Sequence, residues 1–212
     1  MNNKEILNLA AAYSKQGTIM IGLKESFFSN QDFEKLVGIC KAVNYETVTI
    51  GDAGEQNFVK VGRFMTDEKE PKLVDNKFSK DVMQILNKNE HLDFYKKIIN
   101  IKNEDIYVRR VQVNKMSEGN FIGYHLDVDS NPDYIAAVVI QLGKDFKGGE
   151  YVVYKKDNKD NPPNSFSPFF QSLILSDCTY PHEVKKIFSG ERISLVFFLC
   201  KHKNSNQRYL KS

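Results

Sequence analysis

Arg192-Ile193-Ser194-Leu195-Val196-Phe197-Phe198-Leu199 is the stretch from which the fold is read. Its β-branched and aromatic residues suit a buried strand. By the two-residue period of a strand, Arg192 and Ser194 share one face, as do Val196 and Phe198. A guanidinium heading so apolar a strand needs a partner, because an unpaired buried charge is costly. Working outward, the chain from about residue 105 reads as short strands at 106–114, 121–127, 134–142, 150–155, 170–176, 182–187 and 191–199. Turn chemistry separates them: Ser117-Glu-Gly-Asn, Asp129-Ser-Asn-Pro, Gly148-Gly149, Asn158-Lys-Asp-Asn-Pro-Pro and Ser189-Gly190. Many short strands at this spacing predict a sandwich or barrel.

The first half has a different period. Residues 4–14, 31–43, 79–89 and 92–100 carry apolar side chains at helical spacing, with Phe33, Leu36, Val37, Cys40 and Val43 on one stripe. Residues 45–50 and 57–65 read as strands, and Asp67-Glu-Lys-Glu-Pro-Lys as a solvated loop. The fold class is therefore α+β with a mainly β core and the N-terminal helices packed on one face. No linker marks the change of pattern, so residues 1–212 are expected to form one domain: a helical part over about 1–104 and a β core over about 105–200.

Charge is nearly balanced at +3, and no basic stripe with interleaved aromatics appears, so nucleic acid is not the expected partner. Cys40, Cys178 and Cys200 lack the spacing of a disulfide framework or a zinc ribbon and read as buried free thiols. There is no apolar signal core at the N-terminus and no run of membrane-spanning length, which points to a cytoplasmic protein without a membrane partner.

Within the β half lies Gly123-Tyr124-His125-Leu126-Asp127, which puts His125 and Asp127 on one side of a strand. Tyr124 then points away, and Asp129 is the better candidate to touch a substrate. A third ligand candidate, His182, follows in Tyr180-Pro-His-Glu-Val. Two imidazoles and one carboxylate suit iron(II), since they occupy one face of its octahedron and leave the other open. If residues 186–190 close a hairpin, His182 sits opposite Ser194, and Arg192 lies one same-face step away, roughly 7 Å along the strand. That offset matches a five-carbon dicarboxylate, chelating iron at one end and paired with Arg192 at the other. The competing explanation for Arg192 is a salt bridge to Glu183 or Glu191. His91 and His202 read as solvated, and Asn161-Pro-Pro-Asn as an exposed loop.

Together with Leu142-Gly-Lys-Asp-Phe146, Gly148-Gly149-Glu150, Ser176-Asp177 and Gly190-Glu-Arg192-x-Ser194, these motifs resemble the Fe(II)/2-oxoglutarate-dependent oxygenase superfamily in its prolyl 4-hydroxylase-like branch. The resemblance covers roughly residues 107–200. It implies a double-stranded β-helix (jelly-roll) fold and a dioxygenase that hydroxylates an unactivated C–H bond. Iron(II), 2-oxoglutarate and O2 are the implied cofactors, with ascorbate a candidate addition. It further implies that His125, Asp127 and His182 bind iron, that Arg192 binds the distal carboxylate, and that Ser194 assists. Two family tyrosines of the cosubstrate pocket are absent, with Lys115 and Met116 standing at one place and Gln141 at the other. Asp127 speaks against a halogenase, and the lack of a second arginine in 193–199 against a nucleic-acid demethylase. The expected substrate is a free amino acid or small polar metabolite, ahead of a peptide, with Arg109, Arg110, Glu118, Asn120 and Asp129 as polar lining. The alternatives are a peptidyl hydroxylase and a non-catalytic jelly-roll binding module.

Overall fold

In the computed structural model, which describes residues 1–23, 27–155, 163–204 and 206, the helices come early and the β core late. The first part runs α1 (Asn3–Gln16), β1 (Thr18–Gly22), α2 (Asn30–Ala42), β2 (Glu46–Ile50), β3 (Gln56–Asp67), β4 (Pro71–Leu73), α3 (Ser79–Leu86) and α4 (Asn89–Ile98). The second runs β5 (Tyr107–Ser117), β6 (Phe121–His125), a 3-10 turn (Asp127–Asp129), β7 (Tyr134–Gln141), β8 (Phe146–Gly148) and β9 (Tyr151–Val153). It ends with β10 (Asn164–Phe166), β11 (Ser172–Asp177), β12 (His182–Val184) and β13 (Ile187–Cys200). The four helices fall where the sequence period puts them. Strands β1, β4, β8 and β10 were not foreseen, three of them being only three residues long. The Asn161-Pro162 part of the expected exposed loop lies outside the described residues.

The strands pair in the order β1-β11-β7-β13-β5-β3-β6-β12-β9-β10, with β2 and β4 on β3 and β8 on β13. Strand β3 belongs to both layers: its later residues pair with β5, and Asn57 and Phe58 pair with β6. The sheet thus curls back on itself as a jelly roll, a wide antiparallel sheet facing a narrower one.

Alternation along the wide sheet decides what lies on each side of it. Val111 and Val113, Ala136, Val138 and Ile140, Leu173 and Leu175, and Leu195, Phe197 and Leu199 point outward into the core formed with Leu36, Ile39, Val82, Ile85, Phe94 and Tyr95 of the helices. Their neighbours Met116, Val139 and Ile174 point inward, meeting Tyr151, Val153 and Val184 of the narrow sheet. The inward face also carries Arg110, Gln112, Asn114, Arg192 and Ser194, which line a cavity between the sheets.

Three sequence expectations are corrected here. His91 is not solvated but 2% exposed, one ring nitrogen 3.0 Å from the Ile85 carbonyl and the other 2.8 Å from that of Phe27. It fastens the entry of α4 to the segment before α2. Asp67 is not in a solvated loop. It ends β3 with a fully buried carboxylate that pairs with buried Arg109 and accepts from Tyr134 Oη (2.7 Å) and Asn131 Nδ2 (3.2 Å). The hairpin between residues 182–187 and 191–199 does not form: β12 pairs with β6 and β9, whereas β13 pairs with β5, β7 and β8. Strand β13 already begins at Ile187, so no free loop remains to turn the chain back.

His91→Ala is expected to lower unfolding stability by about 2–4 kcal/mol, through lost packing and two unanswered carbonyls. Asp67→Ala should cost about 3–5 kcal/mol by stranding the Arg109 guanidinium. His202→Ala, at an exposed site, should leave the urea midpoint nearly unchanged. Denaturant titrations of the three variants check this order.

Candidate metal centre

Strands β6 and β12 lie antiparallel with His182 opposite His125, which brings the two imidazole rings to 4.3 Å between centroids. Residue 123 must be glycine for this pairing. A Cβ there would stand 2.5 Å from the Gln56 carbonyl oxygen of the adjoining strand. The strand ends at His125, so Asp127 is the first residue of the 3-10 turn and not a strand residue as expected. The turn nevertheless carries its carboxylate back to the same side. His125 Nε2 lies 3.3 Å from Asp127 Oδ1, and His182 Nε2 lies 3.6 Å from Oδ2. One donor atom from each of the three residues falls within 4.8 Å of the others, a group able to hold a metal ion.

The hydrogen bonds behind the rings decide which nitrogens are available. His125 Nδ1 is 2.8 Å from the Gly123 carbonyl and His182 Nδ1 is 3.1 Å from the Tyr180 carbonyl. A carbonyl only accepts, so each Nδ1 carries a proton and each Nε2 is the nitrogen turned inward toward Asp127. Asp127 Oδ2 is buried with no hydrogen-bond donor among the described residues. A buried carboxylate oxygen lacking a donor, facing two such nitrogens, fits a divalent cation. Tyr151 stacks on the His182 ring at 5.0 Å and holds its plane.

Burial alone would lower the pKa of His125, but the hydrogen bond and charge of Asp127 outweigh it and raise the value to about 9. For His182 burial prevails and lowers the pKa. Burial would raise that of Asp127, yet His182, His125 and Arg110 together hold it below the ordinary range. The metal-free site therefore keeps an ionised carboxylate clamped by one charged imidazole. Cys178 sits fully buried beside it, and burial followed by the Asp127 charge keeps its thiol protonated. The expectation of a packed thiol holds.

Arg192 is 1% exposed and lines the same cavity, although not by the hairpin register. Its Nε donates to Gln141 Oε1 (3.1 Å) and its Nη1 to Met116 Sδ (3.7 Å). Nη2 is buried with no acceptor among the described residues. Neither expected salt-bridge partner reaches it, since Glu191 pairs with Lys115 and Glu183 with Lys185. Burial pushes its pKa down to about 10, which leaves the guanidinium charged at neutral pH. Gln141 spends its own N–H groups on the Gly143 and Ile193 carbonyls, so only its oxygen faces Arg192. Met116 and Gln141, two of the three residues at the places where the resemblance implies tyrosines, thus touch this arginine, while Lys115 pairs with Glu191. Gly149, at φ +72°, leaves room for it: a Cβ would stand 3.1 Å from Arg192 Cδ and 2.5 Å from Ile187 Cδ1. Ser194 is buried one same-face step along β13 and lines the cavity too.

The arrangement is a three-donor metal group and an unpaired guanidinium in one cavity, the parts that an iron ion and an anionic cosubstrate require. A family profile described as the 2OG-Fe(II) oxygenase superfamily matches residues 111–200. The chain is 34% identical to an oxidoreductase of the 2OG-Fe(II) oxygenase family from Burkholderia pseudomallei, covering 97% of this chain and 95% of that one at a TM-score of 0.86. The chain belongs to the 2OG-Fe(II) oxygenase family. Its fold also resembles a Pseudomonas putida prolyl-4-hydroxylase (16% identity, 93% of this chain and 99% of that one, TM-score 0.63). A third similar fold is a viral collagen prolyl hydroxylase from Paramecium Bursaria Chlorella virus-1, in its 2OG complex (16% identity, 90% of this chain and 98% of that one, TM-score 0.56). No curated protein matches the chain in sequence. As an oxygenase of this family, the protein uses iron(II) and 2-oxoglutarate.

Glu118, Asn120 and Asp129 do not line the oxygenase cavity, and Arg109 is committed to Asp67. The polar wall comes instead from Asp52, Glu55, Arg63, Gln112 and Asn114, with Arg110 alone of the expected set. Period two in Arg110-Val-Gln112-Val-Asn114 could have revealed part of this wall. Glu55 and Asp52 carry no such signal, because the β2–β3 connection places them. Tyr124 is exposed, as its strand position required.

Metal binding must expel the His125 proton, so affinity should fall as pH drops below about 9. Calorimetric titration of the metal-free protein with Mn(II) at pH 7.5, in buffers of differing ionisation enthalpy, should show roughly one proton released per ion. His125→Ala, Asp127→Ala and His182→Ala should each abolish stoichiometric binding.

Proposed function

We propose that His125, Asp127 and His182 hold iron(II), that Arg192 and Ser194 receive 2-oxoglutarate, and that the enzyme hydroxylates a free amino acid or similar small polar metabolite. The buried Arg192 guanidinium, with Nη2 unpaired beside the three-donor group, carries the site assignment. An unpaired buried charge survives where a ligand of opposite charge completes it. A dicarboxylate does so in the fork-to-fork geometry that arginine offers.

When bound, iron(II) supplies with 2-oxoglutarate and O2 the oxidising power to hydroxylate a C–H bond, with succinate and carbon dioxide as the co-products. The chain's own residues position and protect. The Gly123 and Tyr180 carbonyls fix both imidazoles in the tautomer that offers Nε2. Gln141 and Met116 hold the guanidinium in orientation, Gln141 as an acceptor only. Val59, Val139, Val184 and Val196 form the apolar part of the wall and limit water at the reacting centre.

The cavity holds the three-donor group and Arg192 together. Its several charged lining residues favour a polar substrate. A peptidyl substrate is the second reading, supported by Ile50, Phe58 and Tyr124, which leave large apolar surfaces exposed on β2, β3 and β6. Succinate release with iron(II) and 2-oxoglutarate, stimulated by free amino acids or by peptides containing the same residues, separates the two. Stimulation by peptides alone would sink the small-molecule reading and leave the iron site standing.

Arg192→Ala should raise the 2-oxoglutarate concentration for half-maximal succinate formation by at least about tenfold, since breaking a buried bidentate pair costs roughly 3–5 kcal/mol. Arg192→Lys should recover only part, because an ammonium lacks the planar fork. An unchanged 2-oxoglutarate dependence in Arg192→Ala would remove the assignment.

A further inference from the structure

Two further buried polar atoms in the cavity serve neither the three-donor group nor Arg192. Glu55, just before β3, accepts from Asn57 Nδ2 at its Oε1 (2.9 Å), while its buried Oε2 meets no donor among the described residues. Asn57 also accepts from the Gly123 backbone N–H at 3.3 Å, which ties Glu55 to the strand that carries His125. Arg110 is the second. Its Nη2 lies 2.8 Å from Asp52 at the rim, and its Nε is buried with no acceptor among the described residues.

The backbone holds Arg110 in place at a cost. Its φ is +43°, unusual for any residue but glycine. Register shifts flank it on both sides, between Val196 and Phe198 of β13 and between Arg63 and Met65 of β3. This is a β-bulge, a device that re-aims a side chain and occurs often beside active sites. It lets adjacent arginines part, Arg109 to its pair with Asp67 and Arg110 to the cavity, with its guanidinium 5.6 Å over the Phe198 ring. Both groups lie near the three donors. Beyond the effect of burial, Glu55 acts to raise both imidazole pKa values and Arg110 to lower that of Asp127.

An acid and a base in one cavity, each with an open hydrogen-bonding position, match a zwitterion. We propose that Glu55 and Arg110 form the receptor for the primary substrate, Glu55 taking the ammonium of a free amino acid and Arg110 its carboxylate. A guanidinium has five N–H donors, so Arg110 can keep Asp52 at the rim and still accept a second carboxylate. The residue inside a peptide chain offers neither charge, so this receptor selects the free amino acid. The inference rests on the small-molecule reading of the same site.

The test measures succinate release by the iron-loaded enzyme with the twenty common L-amino acids, each also as its N-acetyl and its C-amide derivative, and with short peptides. A free amino acid should stimulate turnover, and either cap should raise its half-maximal concentration at least about tenfold, the effect of losing one charged hydrogen bond. In Glu55→Gln the N-acetyl penalty should shrink while the amide penalty persists; Arg110→Gln should show the reverse. The capping comparison uses the unaltered protein and does not depend on either variant folding. Free amino acids that stimulate equally well with both caps would overturn the receptor and leave the small-molecule reading intact. Stimulation by peptides alone would overturn both, whereas a panel in which nothing stimulates would overturn the amino-acid receptor and leave the wider small-metabolite reading standing.

Discussion

The alternation of side chains along β5, β7 and β13 is the constraint from which the rest of the molecule follows. Each strand sends one set of residues outward and the next set inward, and the two sets differ in chemistry. Leu195, Phe197 and Leu199 need a cover of apolar helices, which α2, α3 and α4 supply. Arg192 and Ser194 need a closed polar space, which the facing narrow sheet supplies. Slipping β13 by one residue would turn the guanidinium into the helix core and the leucines into the cavity. Register, helix packing and the position of the polar cavity are therefore one requirement.

The cavity is polar at both of its unsatisfied points and apolar between them. Arg192 lies fully buried, held by an amide oxygen and a thioether, neither of which neutralises its charge. Asp127 is likewise held without full hydrogen bonding. Such groups weaken a fold when left alone, and here they are carried by a large outer core and by the buried Arg109–Asp67 pair. That pair also steadies the turn bearing Asp127, because Asp67 accepts from Asn131 and Tyr134 directly after it. Stability is stored away from the chemistry, and the chemistry is left with open valences.

Met116 and Gln141 both reach Arg192, so the arginine is oriented by partners that cannot donate to it. The Gln141 N–H groups are taken by the Gly143 and Ile193 carbonyls, so that side chain keeps no donor for a ligand.

Period and spacing determined the helices, most strands and the shared face of Arg192 and Ser194, because these depend on local geometry; the trio His125, Asp127 and His182 stood out as ligand types and through the resemblance of the surrounding motifs to the family. Tertiary structure decided the rest. Strand β12 pairs with β6 and not with β13, so the histidines meet across a partner far away in sequence. His91 looked like a surface residue and is a buried clasp, since the segment that covers it comes from before α2. Arg109 and Arg110 are indistinguishable as letters, and a single bulge separates a structural ion pair from a cavity-lining guanidinium. Glu55 joins the cavity only because the β2–β3 connection folds over it. In each case the deciding contact is long-range, and a side chain's neighbours across a sheet are set by strand pairing, which no local pattern in the chain encodes.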